Sequence, residues 1–146
     1  SYLHPYDENH IIGIGVYDGK VKISLFDVSN VTDIKEMNYT TDNWAGSPAL
    51  DDHKVLLFDR LKNLFVIPIA EKNPDYWQGW QGAYVFNISS ETGVLLRGKI
   101  THMGNDFSNY VVRSLYIDNV LYTISASKVK MNNLETLTEI NEIELP

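Results

Sequence analysis

The side chains in this sequence best suited to chemistry are few and far apart. Asp51-Asp52-His53 is the densest polar cluster, with two carboxylates beside an imidazole. An adjacent carboxylate raises the basicity of an imidazole and fixes its tautomer, so His53 oriented by Asp52 is a candidate general base or metal ligand. A serine hydrolase would also need an activated hydroxyl, and Ser47 lacks the flanking glycines of a nucleophile elbow. The simpler reading is preferred: at a junction between repeats these side chains hydrogen-bond to turn backbone, since buried donors and acceptors must be paired. No residue is assigned a catalytic role.

His4, His53 and His102 recur at an interval of 49, which would suit one imidazole per repeat converging on a metal. Metal sites need converging geometry rather than a constant interval, and the three histidines stand at different places relative to the repeat described below. A shared site is therefore not expected. Asp27 to Asp33 carries oxygen-bearing side chains, but as a calcium loop it puts Thr32 where glycine is needed and Asn38 where a bidentate glutamate is needed. An Asx turn between two strands accounts for it. Gly13-x-Gly15 has nothing to complete a phosphate loop and marks a strand irregularity or a close backbone approach. Cysteine is absent, which removes disulfides and thiolate chemistry. No cofactor is expected, and a metal at Asp51, Asp52 and His53 is left open.

The strongest surface candidate is Tyr76-Trp77-Gln78-Gly79-Trp80. Tyr76, Trp77 and Trp80 in a polar loop would stack on sugar rings or anchor a protein, because large aromatics supply much contact area with few torsions to freeze. The alternative is that the loop folds back over its own sheet. Asn30-Val31-Thr32, Asn38-Tyr39-Thr40 and Asn87-Ile88-Ser89 fit the glycosylation sequon. Twelve Lys and Arg against nineteen Asp and Glu give a net charge of −7. No basic cluster interrupts that balance, so nucleic acid is disfavoured as a partner. No apolar run is long enough for a transmembrane helix, and no signal-peptide pattern lies within the segment.

The elements that must position these residues are strands. Apolar residues alternate with period two almost throughout, and no window keeps a helical stripe. Runs such as Ile11 to Val16, Val21 to Phe26, Lys54 to Phe58, Leu64 to Ile69, Ala83 to Asn87, Val94 to Thr101, Val111 to Tyr116, Val120 to Ser125 and Glu139 to Leu145 are bounded by Asp, Asn, Gly and Ser. Asp18-Gly19 predicts a tight hairpin over Ile11 to Phe26. Three segments repeat a polar turn ending in asparagine before a buried strand, at Asn9, Asn63 and Asn119, spaced 54 and 56 positions apart. Downstream, Val28-Ser29 is echoed by Ile88-Ser89 and more faintly by Leu134. A closing strand follows each. Four antiparallel strands per unit are the pattern of a β-propeller blade. The expected division is three blades, 1–46, 47–106 and 107–146. Extra length is expected at Thr41 to Asp52, Glu71 to Gln81 and Met103 to Asn109.

Through Tyr2 to Gly15, Lys22 to Ser29, Ser47 to Lys54, Gln81 to Phe86 and Arg113 to Ile117, the chain resembles archaeal and bacterial secreted proteins that carry a C-terminal β-propeller domain. The resemblance covers nearly the whole chain, and the loop Tyr76 to Trp80 departs from it by its length. It implies an all-β propeller fold, an extracellular or cell-envelope location and a longer parent protein, but brings no activity, cofactor or catalytic residues. The expected function is a non-enzymatic scaffold that binds a protein or polysaccharide. Two alternatives stay open: a hydrolase or lyase at the propeller centre, and a structural module for self-association. Three blades fall short of the four or more that close a ring, so the expected partners include the remaining blades of a larger protein or a second copy.

Overall fold

The computed structural model describes residues 1–72 and 79–146. They form strands, short turns and three single-turn 3-10 segments, with no α-helix among the described residues. Three antiparallel sheets follow one another along the chain. The first contains β1 (Tyr2–Pro5), β2 (His10–Tyr17), β3 (Lys20–Asp27) and β4 (Lys35–Thr40) in that order. The second is built from β5 (Trp44–Gly46), β6 (Leu57–Asp59), β7 (Leu64–Lys72), β8 (Trp80–Ser89) and β9 (Gly93–Ile100). The third holds β10 (Arg113–Ile117), β11 (Val120–Ile124), β12 (Lys128–Asn133) and β13 (Glu139–Glu144). Neighbouring strands in each sheet run antiparallel.

Local chemistry sets the turns. The β2–β3 connection is the two-residue hairpin anticipated from Asp18-Gly19, with φ of 51° and 73°. Both residues lie in the left-handed region that a tight hairpin turn requires. The asparagine repeat has a physical basis. The carbonyls of Asn9, Asn63 and Asn119 accept from the N–H of Val28, Ile88 and Leu134, at 2.8, 2.9 and 2.9 Å. Each bond closes the end of the hairpin between the second and third strands. The residue before each donor continues the pattern: Asp27 accepts from Ser29 N–H, Asn87 donates to Thr92, and Asn133 accepts from Glu135 N–H. Side chains of this type satisfy turn backbone that would otherwise lack a partner.

The first strand of the second sheet differs from the sequence expectation. The extra length expected before the second unit lies within that strand. β5 pairs with Ala70–Lys72 and β6 with Leu64–Val66 of the same neighbour, β7. Residues 47–56 leave the sheet between them and make two 3-10 turns, Pro48–Leu50 and His53–Val55. The strand expected over Lys54 to Phe58 is thereby reduced to Leu57–Asp59. Asp52 is the cause: its Oδ1 accepts from Lys54 N–H at 3.0 Å, an N-cap that turns the chain away from extended backbone.

The second sheet is buried on both faces. Phe65, Ile67, Ile69, Tyr84, Phe86 and Ile88 face Ile12, Ile14, Val21, Ile23 and Leu25 of the first sheet. On its other side Leu64, Val66, Ala83, Val85 and Ile100 meet Val111, Leu121 and Leu134. A fully buried aliphatic or aromatic side chain contributes about 1.5–3 kcal/mol, so these two layers dominate stability. Polar ties lock adjacent sheets: Arg60 donates to the Tyr6 carbonyl at 3.2 Å, the Tyr116 hydroxyl donates to Asp59, and Arg97 donates to the Leu134 carbonyl at 2.5 Å.

Candidate functional site

The β2–β3 and β11–β12 turns and the chain leaving each fourth strand lie at corresponding ends of their sheets. Aromatic side chains collect there. Trp44 opens β5, is 61% exposed, and rests on the β2–β3 turn, where a Cβ at Gly19 would lie 3.4 Å from its ring. The Ala45 N–H donates to the Gly19 carbonyl at 2.9 Å and fixes that approach. Trp80 stands across from Glu71 at the start of β8 and meets Tyr84 edge to face, with ring centroids 5.6 Å apart. The Lys99 ammonium lies 5.5 Å from the Trp80 ring and 4.5 Å from that of Tyr84. Glu71 accepts from the Tyr84 hydroxyl and, at 3.3 Å, from Lys99. Burial, and next the bond to Glu71, push the Tyr84 phenol well above its ordinary range, so it stays a donor. Beside this group a cleft of about 310 Å³ is lined by Trp80 and Phe107, with Asn43, Glu71, Thr101 and Met103. Of the three aromatics expected to bind, Trp80 is thus partly occupied by neighbours, and Tyr76 and Trp77 lie outside the described residues.

Asp51, Asp52 and His53 sit on the detour in the first strand of the second sheet, all exposed. Asp52 caps the turn, and no hydrogen bond joins it to His53 among the described residues. Ser47 is also a capping residue, accepting from Ala49 N–H and donating to the Pro68 carbonyl at 2.6 Å. His53 instead stacks flat on Tyr2, with centroids 5.2 Å apart and planes within 2°. The Tyr2 hydroxyl is 3.1 Å from His4 Nδ1, and His4 meets Phe58 edge-on. These rings line an apolar cavity of about 200 Å³ together with Ile12, Ile14, Leu56 and Phe65. His4 and His53 are therefore brought to one cavity while His102 is not. Among the described residues no three His, Asp or Glu side chains group as a metal site would require.

His102 belongs to a buried polar joint that sequence reasoning missed. It lies between the second and third sheets, 2% exposed, with Nδ1 2.8 Å from Ser125 Oγ and Nε2 2.8 Å from Thr123 Oγ1. Its carbonyl accepts from Asn109, and Gln81 exchanges two hydrogen bonds with the backbone of Val111. Burial, reinforced by Lys130 and Lys128, depresses the imidazole to about 4. The available signal was Thr123 and Ser125 on alternate residues of a strand face that would otherwise be apolar.

Residues 1–137 match the family model described as a beta propeller domain. The chain belongs to this family. The propeller segment is 30% identical over 145 residues to an uncharacterised protein of Archaeoglobus fulgidus, covering 99% of this chain and 20% of that protein. It is 32% identical over 144 residues to an uncharacterised protein of Methanocaldococcus jannaschii, covering 96% and 21%. The chain thus spans about a fifth of the length of the curated relatives it matches. No solved structure matches it. The three sheets are propeller-type blades, all β and antiparallel.

Proposed function

We propose that this propeller segment is a non-enzymatic scaffold, part of a secreted or surface-anchored protein, whose aromatic loop end binds a polysaccharide. The observation that carries the reading is Trp44, an indole held outward on a hairpin turn beside the cleft of Trp80 and Phe107. Indole faces offer stacking surface for the C–H faces of sugars, and Asn43, Glu71 and Thr101 supply oxygen and amide partners for hydroxyls at the same cleft. A protein partner would use the same aromatics as anchors. The extracellular assignment rests on the family resemblance alone. Glycan-array binding and pull-down of the intact chain, beside Trp44→Ala and Trp80→Ala, test the reading. Array binding lost in both variants is the expected result; binding unchanged in both removes the loop end from consideration.

A hydrolase or lyase reading ranks second, because His4 and His53 of two adjacent sheets meet at the Tyr2 cavity. It lacks an identified nucleophile. A stoichiometric metal retained through chelation and dialysis would raise it above the scaffold reading.

A further inference from the structure

The three sheets share one register, which allows the junctions between them to be compared position by position. The pairs His10–Asp27, Leu64–Asn87 and Val120–Asn133 are equivalent, since each adjoins the asparagine that closes its hairpin. Towards the fourth strand, Phe26 pairs with Glu36 and Leu25 with Met37, whereas Phe86 pairs with Leu96 and Val85 with Gly98. Arg97 is thus an extra residue, a β-bulge that the first sheet lacks. The third sheet has the same bulge with Ile140 in that place, so the bulge itself does not require arginine. What the fourth strands meet differs too. Met37 packs against Gly93 at the start of the next sheet's fourth strand, where a Cβ would lie 2.9 Å from its own. Arg97 reaches the turn before the fourth strand of the third sheet, and its Nη2 donates to the carbonyls of Leu134 and Glu135 at 2.5 and 2.7 Å. Bulges re-aim side chains and are over-represented beside functional sites.

Anchored in this way, Arg97 borders a cleft of about 330 Å³ between the second and third sheets. Lys62 stands on the same cleft, its ammonium 5.2 Å from the Tyr116 ring of the third sheet. Among the described residues neither cation forms an ion pair, while Lys22, Lys99, Lys128 and Lys130 are each paired with a glutamate. Nor does any hydrogen bond among those residues take Arg97 Nε or Nη1. Asn119 adds an exposed side-chain amide. Two acceptors complete the lining: Glu135, and Asn87, whose Nδ2 donates to Thr92 Oγ1 at 3.2 Å and whose Oδ1 is left to accept. Two cations against one carboxylate leave the cleft with a single net positive charge, in a chain of net charge −7. A carboxylate balances that charge; a phosphate dianion exceeds it. The cleft is also remote from the aromatic end, because Leu64–Asn87 and Glu71–Trp80 are opposite ends of one ladder, about 24 Å apart by strand rise.

We propose that this cleft is a second ligand site, separate from the aromatic end, for the carboxylate of a hydroxylated acid of the sugar-acid class. Arg97 and Lys62 hold the carboxylate through charge-assisted hydrogen bonds, and Asn87 Oδ1 and Glu135 accept from its hydroxyls. Because the two backbone carbonyls already fix the guanidinium, little side-chain freedom is lost on binding. The volume lies at the small end of the range for ligand sites.

NMR titration of the intact chain with sodium glucuronate is the test, read at Arg97 Nε–H and at the side-chain amides of Asn87 and Asn119, with glucose, sodium chloride and inorganic phosphate as comparisons. Saturable shifts at these groups with glucuronate, and none with glucose or with chloride at equal ionic strength, are expected. Lys62 is exposed, so Lys62→Gln should keep the thermal transition while weakening glucuronate roughly tenfold. Arg97→Lys, which keeps the charge and loses the planar fork, should weaken it as well. Shifts that fail to saturate at tens of millimolar, or that glucose reproduces, overturn the proposal. Tighter binding of phosphate at the same groups overturns the carboxylate assignment. Glucuronate shifts confined to the indoles of Trp44 and Trp80 overturn this site and leave the aromatic end as the place of binding.

Discussion

His102 is the residue whose chemistry the fold alters most. Unfolded, an imidazole takes up a proton near pH 6.5; in the folded chain it resists until about 4. Between those values the unfolded state binds a proton that the folded state refuses, so stability falls as pH drops from about 6.5 to 4 and this contribution levels off below. Each pH unit in that window costs up to about 1.4 kcal/mol. Urea midpoints at pH 7 and pH 4.5 should differ for the native chain, and His102→Gln should remove most of the difference. A second residue-scale test concerns Gly82, where a Cβ would meet the Ile100 carbonyl and lie 2.7 Å from the Trp80 ring. Gly82→Ala is expected to cost about 1–3 kcal/mol by chemical denaturation, since overpacking forces backbone or ring to shift.

At the scale of elements, the detour between β5 and β6 depends on its caps. Asp52→Ala removes the acceptor for Lys54 N–H and should destabilise the chain by about 1 kcal/mol. It should also loosen His53 from Tyr2, readable as a change in the His53 ring resonances by NMR. Hairpins, by contrast, were legible in the sequence because their determinants are local. Asp18-Gly19 carries its own backbone preference, and Asn9, Asn63 and Asn119 bond to residues 19, 25 and 15 positions ahead within one two-strand unit. The detour was not legible, because Leu56 to Phe58 reads as apolar strand whether the chain enters from a cap or from extended backbone. Nor was the His102 joint, whose partners Thr123 and Ser125 lie on another sheet 21 and 23 positions away. For the loop end, Trp80 stands out in the sequence as an aromatic in a polar stretch, while Trp44 does not, because its exposed position depends on the Gly19 turn beneath it.

For the whole molecule, the second sheet is the shared wall of both apolar layers. Phe86 faces the first sheet and Val85 the third, one residue apart on β8. Phe86→Ala should cost about 3–5 kcal/mol. Val85→Ala, on the opposite layer, should cost less, yet both should shift one and the same transition. Circular dichroism and tryptophan fluorescence should remain superimposable in each variant. Separate melting of the first and third sheets would contradict a shared wall.

The detour has one more consequence. Its two ends leave and rejoin a single strand edge, passing from Gly46 opposite Ala70 to Leu57 opposite Val66. Neither end needs to move when the intervening chain changes length, and closing a longer loop costs only about 0.6 kcal/mol per doubling. The propeller therefore contains a socket: a foreign peptide spliced between the exposed Asp51 and Asp52 would be displayed from a detour that Ala49, Leu50, Val55 and Leu56 anchor in the first apolar layer.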